Sequence, residues 1–342
     1  MPGDPRPYRV AVVGATGVVG TTVVTLLAER GFPCKQVDLL ASSRSAGTVM
    51  DAGGVARTVF DLDGFDFDGI DIAFFSAGAG VSREHAARAV SAGAVVIDNT
   101  NAFRMRLSTP LVVPQVNGHL LERRPPGGII ANPNCATIPL TRLLRPIAAE
   151  WGIDDVVVST YQAASGRGRA GIGELTDRTR QCLDDPSGAV AGPAFPQGLA
   201  FNVVPLIDEL RPDGFTVEEK KIEQEAAKIL ELPRLRLTAT CVRVPVVTGH
   251  SEAVLVRTIR PVDRDRVASA FAALPEVRVW HGAGAPTPRA EEGSDEVHVG
   301  RIRVTGERNT GLWFWLVSDN VRVGAALNAV QIAEGLRDRG AL

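Results

Sequence analysis

Gly14-Ala15-Thr16-Gly17-Val18-Val19-Gly20 is the stretch whose reading decides the fold. It directly follows an apolar run at residues 10–13. Beyond it Val18, Val19, Val23, Leu26 and Leu27 recur at helical spacing up to Gly31, where a helix C-cap is expected. A glycine-rich turn between a strand and a helix lets backbone approach a pyrophosphate. The helix N-terminus adds free N–H groups and a partial positive charge. The segment therefore reads as the first βα unit of a dinucleotide-binding domain.

Outward from that unit, apolar runs at residues 37–40, 70–75 and 94–97 alternate with helical patterns, the signature of a doubly wound, mostly parallel sheet. A second helix is expected from about Ser82, as cap, to Ala92, with Gly93 as terminator. After the second strand the chain reads Ala41-Ser42-Ser43-Arg44-Ser45-Ala46-Gly47, and the usual acidic ribose ligand is absent. Hydroxyls with a guanidinium suit a 2′-phosphate, which favours NADP over NAD unless Arg44 is merely a solvated surface residue.

Pro125-Pro126-Gly127-Gly128 punctuates the chain, and the pattern changes after it. Strand-like runs at residues 156–161, 235–247, 253–259, 277–280, 297–305 and 312–318 are mixed with helical stretches at 138–148, 170–182, 217–230 and 264–273. This predicts an α+β domain on a mixed or antiparallel sheet. A last amphipathic helix, about residues 321–337, carries Val323, Leu327, Val330 and Leu336 on one side. The expected division is a cofactor domain of residues 1–131 plus 321–342 and a catalytic domain of residues 132–320. Residues 184–200, rich in Pro, Gly and Ala, read as a surface excursion or a subunit contact.

Composition narrows the function. Over 342 residues, 37 Lys+Arg against 39 Asp+Glu leave a net charge of −2 with both signs scattered, which argues against nucleic acid as partner. No apolar run approaches membrane-spanning length, and the start, MPGDPRPYRV, lacks the features of a signal peptide; a cytoplasmic enzyme is expected. The five histidines are dispersed without metal-ligand spacing, and the four cysteines form no CxxC.

Among the cysteines, Cys135 stands in Asn132-Pro133-Asn134-Cys135-Ala136-Thr137-Ile138, just before a helical stretch. A thiol there feels the positive end of the helix dipole, which favours the nucleophilic thiolate. Cys34, Cys182 and Cys241 read as structural. His250, in Thr248-Gly249-His250-Ser251-Glu252 between two strand signals, is the candidate acid/base partner. Arg243 is a lone charge in an apolar strand, either paired internally or reserved for a carboxylate ligand. Arg104 follows a sheet strand at its carboxyl end, where open α/β sheets bind ligands.

Together the segments GATGVVG, ASSRSAG, NAFRM, ANPNCATI, STYQAASG, the EEKK helix, TCVRVPVVTGHSE, VGRIR and VSDNVRVGAALNAVQIAE resemble the bacterial NADP-dependent aspartate-semialdehyde dehydrogenases along nearly the whole chain. The resemblance implies reversible conversion of aspartyl phosphate and NADPH to aspartate semialdehyde, phosphate and NADP, in the aspartate pathway, through a thioester on Cys135. It further implies His250 as general acid/base, Gln162 as the residue that positions substrate beside the cysteine, and Arg243 and Glu218 as grips for the α-carboxylate and amino group. Arg104 and Lys221 would hold phosphate. Gly14, Thr16, Gly17, Val18, Val19, Arg44, Ser45, Ser165, Gly166 and Asn320 would line the cofactor site, and a homodimer formed largely by the second domain, or a higher homo-oligomer, is implied.

Three residues depart from the family pattern. Gln115 stands where a glutamate is common, and Arg167 and Arg169 stand where small or neutral residues follow Ser165-Gly166. These leave open a paralogue acting on a modified acyl phosphate. Two other readings are an N-acetylglutamyl-phosphate reductase, which would not want an acid at Glu218, and a catalytically silent NADPH-binding subunit, which the joint presence of Cys135, Gln162, Arg243 and His250 opposes.

Overall fold

The protein's structure, a computed structural model, describes residues 7–185, 188 and 190–342. Residues 1–6, and Pro186, Ser187 and Ala189 of the Pro/Gly/Ala-rich stretch, lie outside the described residues. The chain divides into two compact units, Met1–Asn134 with Ala325–Leu342, and Cys135–Gly324.

In the first unit, β1 (Tyr8–Val13) runs into α1 (Val18–Glu29), and the chain continues through β2 (Cys34–Ala41), β3 (Val49–Asp51), β4 (Ala56–Asp61), β5 (Ile72–Phe75), α2 (Ala79–Ser91), β6 (Val95–Asp98), α3 (Pro114–Asn117) and β7 (Ile129–Ala131). The sheet order is β3-β4-β2-β1-β5-β6-β7, parallel throughout except for the β3–β4 pair. β5 and β6 are buried at every residue, as strands covered on both faces must be. The order switches direction around β1, and the crevice outside its carboxyl end is where such sheets take ligands.

Two expectations for this unit need correction. The α2 helix starts at Ala79, and Ser82 does not cap it. The Ser82 hydroxyl instead donates to Asp98 Oδ1 at 2.7 Å, because a buried carboxyl at the end of β6 recruits it and Thr100 as donors. The β3–β4 hairpin was not foreseen, since its three-residue edge strand exposes Val49 and carries too little apolar periodicity to be read.

The C-terminal helix, Leu327–Asp338, packs on α1, and its Glu334 takes a two-pronged ion pair from Arg30 at 2.9 and 2.8 Å. Its Asn328 amide donates to Val112 O and to Asn132 Oδ1. The segment before it, Arg322–Ala326, is a π turn rather than the start of an α-helix. The cause is Asp319: its carboxylate accepts the N–H groups of Val321 and Arg322, and its carbonyl accepts that of Gly324.

The second unit comprises α4 (Thr137–Glu150), β8 (Ile153–Gln162), α5 (Gly168–Asp184), α6 (Val217–Ile229), β9 (Leu237–Arg243), β10 (His250–Thr258), α7 (Arg264–Ala272), β11 (Val277–Val279), β12 (Val297–Thr305) and β13 (Gly311–Ser318). Its six-stranded sheet has the order β11-β12-β13-β10-β8-β9 and is mixed, with β8–β9 and β11–β12 parallel and the other pairs antiparallel. Alternate residues of β8, β9 and β10 are buried, so one sheet face forms the core, where α6 packs on β9 and α4 touches both α6 and α7. The other face carries Val157, Tyr161, Leu255, Trp313 and Trp315, all partly exposed. Among the described residues no helix is long and apolar enough to cross a membrane.

Candidate active site

One rung of the second sheet collects most of the expected catalytic side chains. Ser318 of β13 pairs with His250 of β10, and Gln162 of β8 pairs with Arg243 of β9. The register that pairs Ser251 with Tyr161 sets His250 beside Gln162. Period-two alternation then points Ser318, His250, Gln162 and Arg243 to the same buried face. Residues spread over 156 positions of sequence thus become neighbours, each locked by the strand that carries it.

Cys135 meets this rung from the N-terminal side of α4, one residue before the cap position, Ala136. Its Sγ lies 3.3 Å from His250 Nε2. The backbone N–H of Ala163 donates to His250 Nδ1 at 3.1 Å, so a neutral imidazole carries its proton on Nε2, facing the sulfur. Complete burial, followed by repulsion from Arg243, pushes the His250 pKa down to about 3 and keeps the ring neutral. The arrangement is a thiol group facing a fixed N–H donor. Gly324 permits it, because an added Cβ there would stand 2.9 Å from both Cys135 Cβ and its carbonyl oxygen.

Arg243 is 6% exposed, and its Nη1 donates to Ala163 O at 2.7 Å. Burial lowers its pKa, opposed by the attraction of Cys135 and Glu218, and a guanidinium remains cationic regardless. Thus Ala163 anchors both flanking groups, the imidazole through its N–H and the guanidinium through its carbonyl. Asn320 tethers the same region, since its Oδ1 accepts from Ser165 Oγ and from Gly249 N, each at 2.9 Å. Gly166 packs so tightly on Arg243 that a Cβ would stand 2.7 Å from Nη1.

The α6 helix delivers Glu218 and Lys221. Thr216-Val217-Glu218-Glu219 forms a capping box, with Thr216 N bonded to Glu219 Oε2 and Glu219 N bonded to Thr216 Oγ1. The other oxygen of Glu219 accepts Cys241 N at 3.0 Å and pins the helix start to β9. Glu218 then accepts from Gln162 Nε2 at 3.2 Å and from Lys221 Nζ at 3.2 Å, while Lys221 also reaches Asp208 Oδ2 at 2.6 Å. Burial acts to lower the Lys221 pKa, but the two carboxylates outweigh it and hold the ammonium charged. Arg167 Nη2 stands 3.9 Å from the second Asp208 oxygen.

Behind the catalytic rung the next one is also polar: Glu252 pairs with Thr160 across β10 and β8, and Thr160 pairs with Cys241 of β9. Glu252 is fully buried, neither carboxyl oxygen has a hydrogen-bond partner, and burial raises its pKa well above the ordinary carboxylate value. Below about pH 4 both folded and unfolded chains hold this proton. At higher pH only the folded chain does, so stability falls as pH rises, by up to about 1.4 kcal/mol per pH unit until the folded pKa is passed. Glu252→Gln removes that term. The stability of the variant relative to the parent should therefore climb as pH rises above about 5 in urea-midpoint measurements, and a pH-independent offset would refute the assignment.

In the first unit a cavity of about 520 Å³ opens at the carboxyl ends of β1 and β2, lined among others by Gly14, Gly17, Ser42, Arg44 and Ser45. No side chain caps α1, whose first turn holds Val18 and Val19. The turn can approach the helix only because residue 20 is glycine: a Cβ there would meet Gly14 O at 2.1 Å. Capless helix start, close backbone and hydroxyl-guanidinium rim fit a nicotinamide dinucleotide. Arg104, 7% exposed, follows β6 in this unit and donates through Nη2 to Asn99 O at 3.0 Å.

Two groups that hold the site together, Ala163 and Asp208, carry no signal in the sequence. Ala163 offers no side-chain signal, and Asp208 sits in the irregular stretch after α5 where nothing is periodic. Of the departures, Gln115 donates to Gln331 of the C-terminal helix at 2.8 Å, so its place is within the first unit's packing.

Comparison with known proteins adds to this geometry. Residues 9–124 match the family model of the semialdehyde dehydrogenase NAD binding domain, and residues 144–323 that of the semialdehyde dehydrogenase dimerisation domain. The aspartate-semialdehyde dehydrogenase of Streptomyces akiyoshiensis is 45% identical over 337 residues, covering 95% of this chain and 97% of that one. A crystal structure of aspartate semialdehyde dehydrogenase II from Vibrio cholerae complexed with ASA superposes with a TM-score of 0.94 at 43% identity, covering 97% and 98% of the two chains. A structure of the Candida albicans enzyme with NADP gives a TM-score of 0.77 at 26% identity, covering 98% and 100%.

Proposed function

The chain belongs to the aspartate-semialdehyde dehydrogenase family, and from that premise we propose that it interconverts L-aspartate 4-semialdehyde and L-4-aspartyl phosphate with NADP and phosphate, through a thioester on Cys135. The observation that carries the reading is the Cys135 Sγ to His250 Nε2 contact of 3.3 Å inside a rung that also holds Gln162 and Arg243.

In the oxidative direction the Cys135 thiolate attacks the aldehyde carbon, and the carbonyl oxygen becomes a tetrahedral alkoxide. His250 Nε2–H, already aimed at the sulfur, is the hydrogen-bond donor that stabilises this oxyanion. The bound nicotinamide cofactor supplies the hydride acceptor. Loss of hydride leaves the acyl thioester; phosphate then adds to its carbonyl, and the Cys135 thiolate departs, giving the acyl phosphate. Arg243, buried and fixed by Ala163 O, is suited to the substrate α-carboxylate, and Glu218 to its amino group. Gln162, bonded to Glu218, holds substrate beside the sulfur. Lys221 is the cation for phosphate within the second unit, a role that family resemblance also gives Arg104.

For the cofactor, Arg44 and Ser45 at the cavity rim favour a 2′-phosphate and hence NADP; Ser165, Gly166 and Asn320 carry cofactor roles by family resemblance. The partly exposed apolar sheet face and the match to a dimerisation domain support a homodimer. A biosynthetic reaction on small charged metabolites suits the cytoplasm.

The test is phosphate-dependent reduction of NADP and NAD with L-aspartate semialdehyde and its one-carbon homologue. The expected result is turnover of the unmodified substrate with NADP preferred, and a loss of about 10–100-fold in that preference in Arg44→Ala. Preference for the homologue by orders of magnitude would point to a paralogue for a modified acyl phosphate, and cofactor binding without turnover to a silent subunit.

A further inference from the structure

Asp208 is an acidic residue at the site that neither the substrate grip nor the acid/base chemistry uses, and it is bonded directly to Lys221. It lies in the stretch between α5 and α6, at φ 63°, a conformation that Asp and Asn adopt more readily than other non-glycine residues. One of its oxygens holds Lys221 at 2.6 Å, and the other faces Arg167 at 3.9 Å. Arg167 is 48% exposed and beyond hydrogen-bond distance, whereas Asp208 and Lys221 are 27% and 19% exposed. A single carboxylate therefore stands between two cations, tightly bound to one and loosely facing the other.

The cation it binds tightly is one assigned above to phosphate. A phosphate dianion and a carboxylate cannot share one ammonium at contact distance without mutual repulsion, and in a partly buried setting that repulsion is weakly screened. Phosphate at Lys221 therefore favours release of Asp208, the closer of the two carboxylates that this ammonium holds. The released carboxylate has a destination, because the half-exposed Arg167 guanidinium can complete a two-pronged pair with it.

We propose that Asp208 is an internal counter-ion that competes with phosphate for Lys221, and that Arg167 lowers the cost of phosphate entry by taking over the displaced carboxylate. The proposal rests on the reading of Lys221 as a phosphate ligand. It gives the departure at Arg167 a role: an added cation that shifts a competition rather than a further grip on substrate. In the ligand-free enzyme Lys221 is held by Asp208 at 2.6 Å and by Glu218 at 3.2 Å; with the Glu218 contact common to both states, phosphate occupancy turns on displacing Asp208.

The test measures inorganic phosphate twice: by calorimetric titration of the full-length protein at fixed ionic strength, and as the phosphate KM in the oxidative assay. The variants are Asp208→Asn, Arg167→Ala and the double variant. Asparagine retains the left-handed backbone and removes only the charge. Asp208→Asn should tighten phosphate by about 5–20-fold in both readouts with the aldehyde KM within about twofold, the range of a typical coupling between sites. Arg167→Ala should weaken phosphate several-fold in the parent but leave it unchanged in the Asp208→Asn background. Weaker or unaltered phosphate binding in Asp208→Asn overturns the proposal. Equal losses for Arg167→Ala in both backgrounds overturn Arg167's part, since they would make it a direct phosphate ligand. Phosphate binding that responds as expected in a protein without dehydrogenase activity would instead strike at the proposed reaction and leave the competition standing.

Discussion

Cys135→Ala is expected to lower kcat/KM in both directions by at least about 10⁴-fold, with nicotinamide-cofactor affinity within about twofold of the parent. The expectation follows from the place of Cys135, whose sulfur lies against His250 Nε2. Burial pushes the Cys34 thiol up to about 11, and Cys241, in the rung behind the site, is raised by burial and by the nearby charges of Glu218, Glu219 and Glu252. Both are held as thiols. Cys135→Ser should fail almost as badly. A serine needs a base, and His250 Nδ1 is occupied by Ala163 N–H while Nε2 carries the proton, so no lone pair faces residue 135. Intact-protein mass measurement after mixing with aspartate semialdehyde and NADP should show an acyl adduct on the parent and none on either variant. Residual turnover within tenfold of the parent in the alanine variant would end the thioester assignment.

How much of this was legible in the sequence depends on what carried each feature. The strand–Gly-rich turn–helix at residues 8–29 was readable because both periodicities and the glycine positions report local geometry. The mixed sheet of the second unit was readable from its apolar runs, yet the rung Ser318–His250–Gln162–Arg243 was not, because strand register is set by pairing between distant segments. Local context brought Cys135 forward, with His250 as its candidate partner, but only their placement before α4 and on β10 gives a distance. Ser82 misled because a serine before an apolar stretch is a good cap signal, and only the fold reveals the carboxyl of Asp98 competing for it. Glu252 drew no reading from the sequence; its burial follows from its place on the same sheet face as His250, two residues along β10.

The site's electrostatics explain why it is built on strands. Arg243, Lys221 and Arg167 are concentrated with Glu218 and Asp208 in one region, and each of the buried members would be costly unless its partners were held in place. The sheet fixes Arg243 and Gln162, the capping box fixes Glu218, and Ala163 ties the imidazole and guanidinium to one peptide unit. Preorganised dipoles and charges of this kind lower the reorganisation needed when an oxyanion forms.

His250→Ala should therefore cost about 10²–10⁴-fold in kcat, with the phosphate KM within a few-fold, because the side chain acts where charge develops and not where phosphate is held. Its pH behaviour separates this from loss of packing. In the parent the folded imidazole has a pKa of about 3 against an unfolded value near 6.5, so between those limits the unfolded chain binds the extra proton. Stability then drops as pH falls below about 6.5, by up to about 1.4 kcal/mol per pH unit from this group alone. The alanine variant lacks that term, and its urea midpoint should decline less steeply from pH 6.5 to pH 4.5. Over the same range the free parent enzyme should show no His250 imidazole signal titrating near 6.5 in ¹⁵N spectra, and its kcat/KM should have no limb assignable to that ring. A His250 resonance with an ordinary midpoint would mean that Nδ1 binds a proton readily. The Ala163 contact could not then be an N–H donation, and the fixed donor facing Cys135 would be lost from the mechanism.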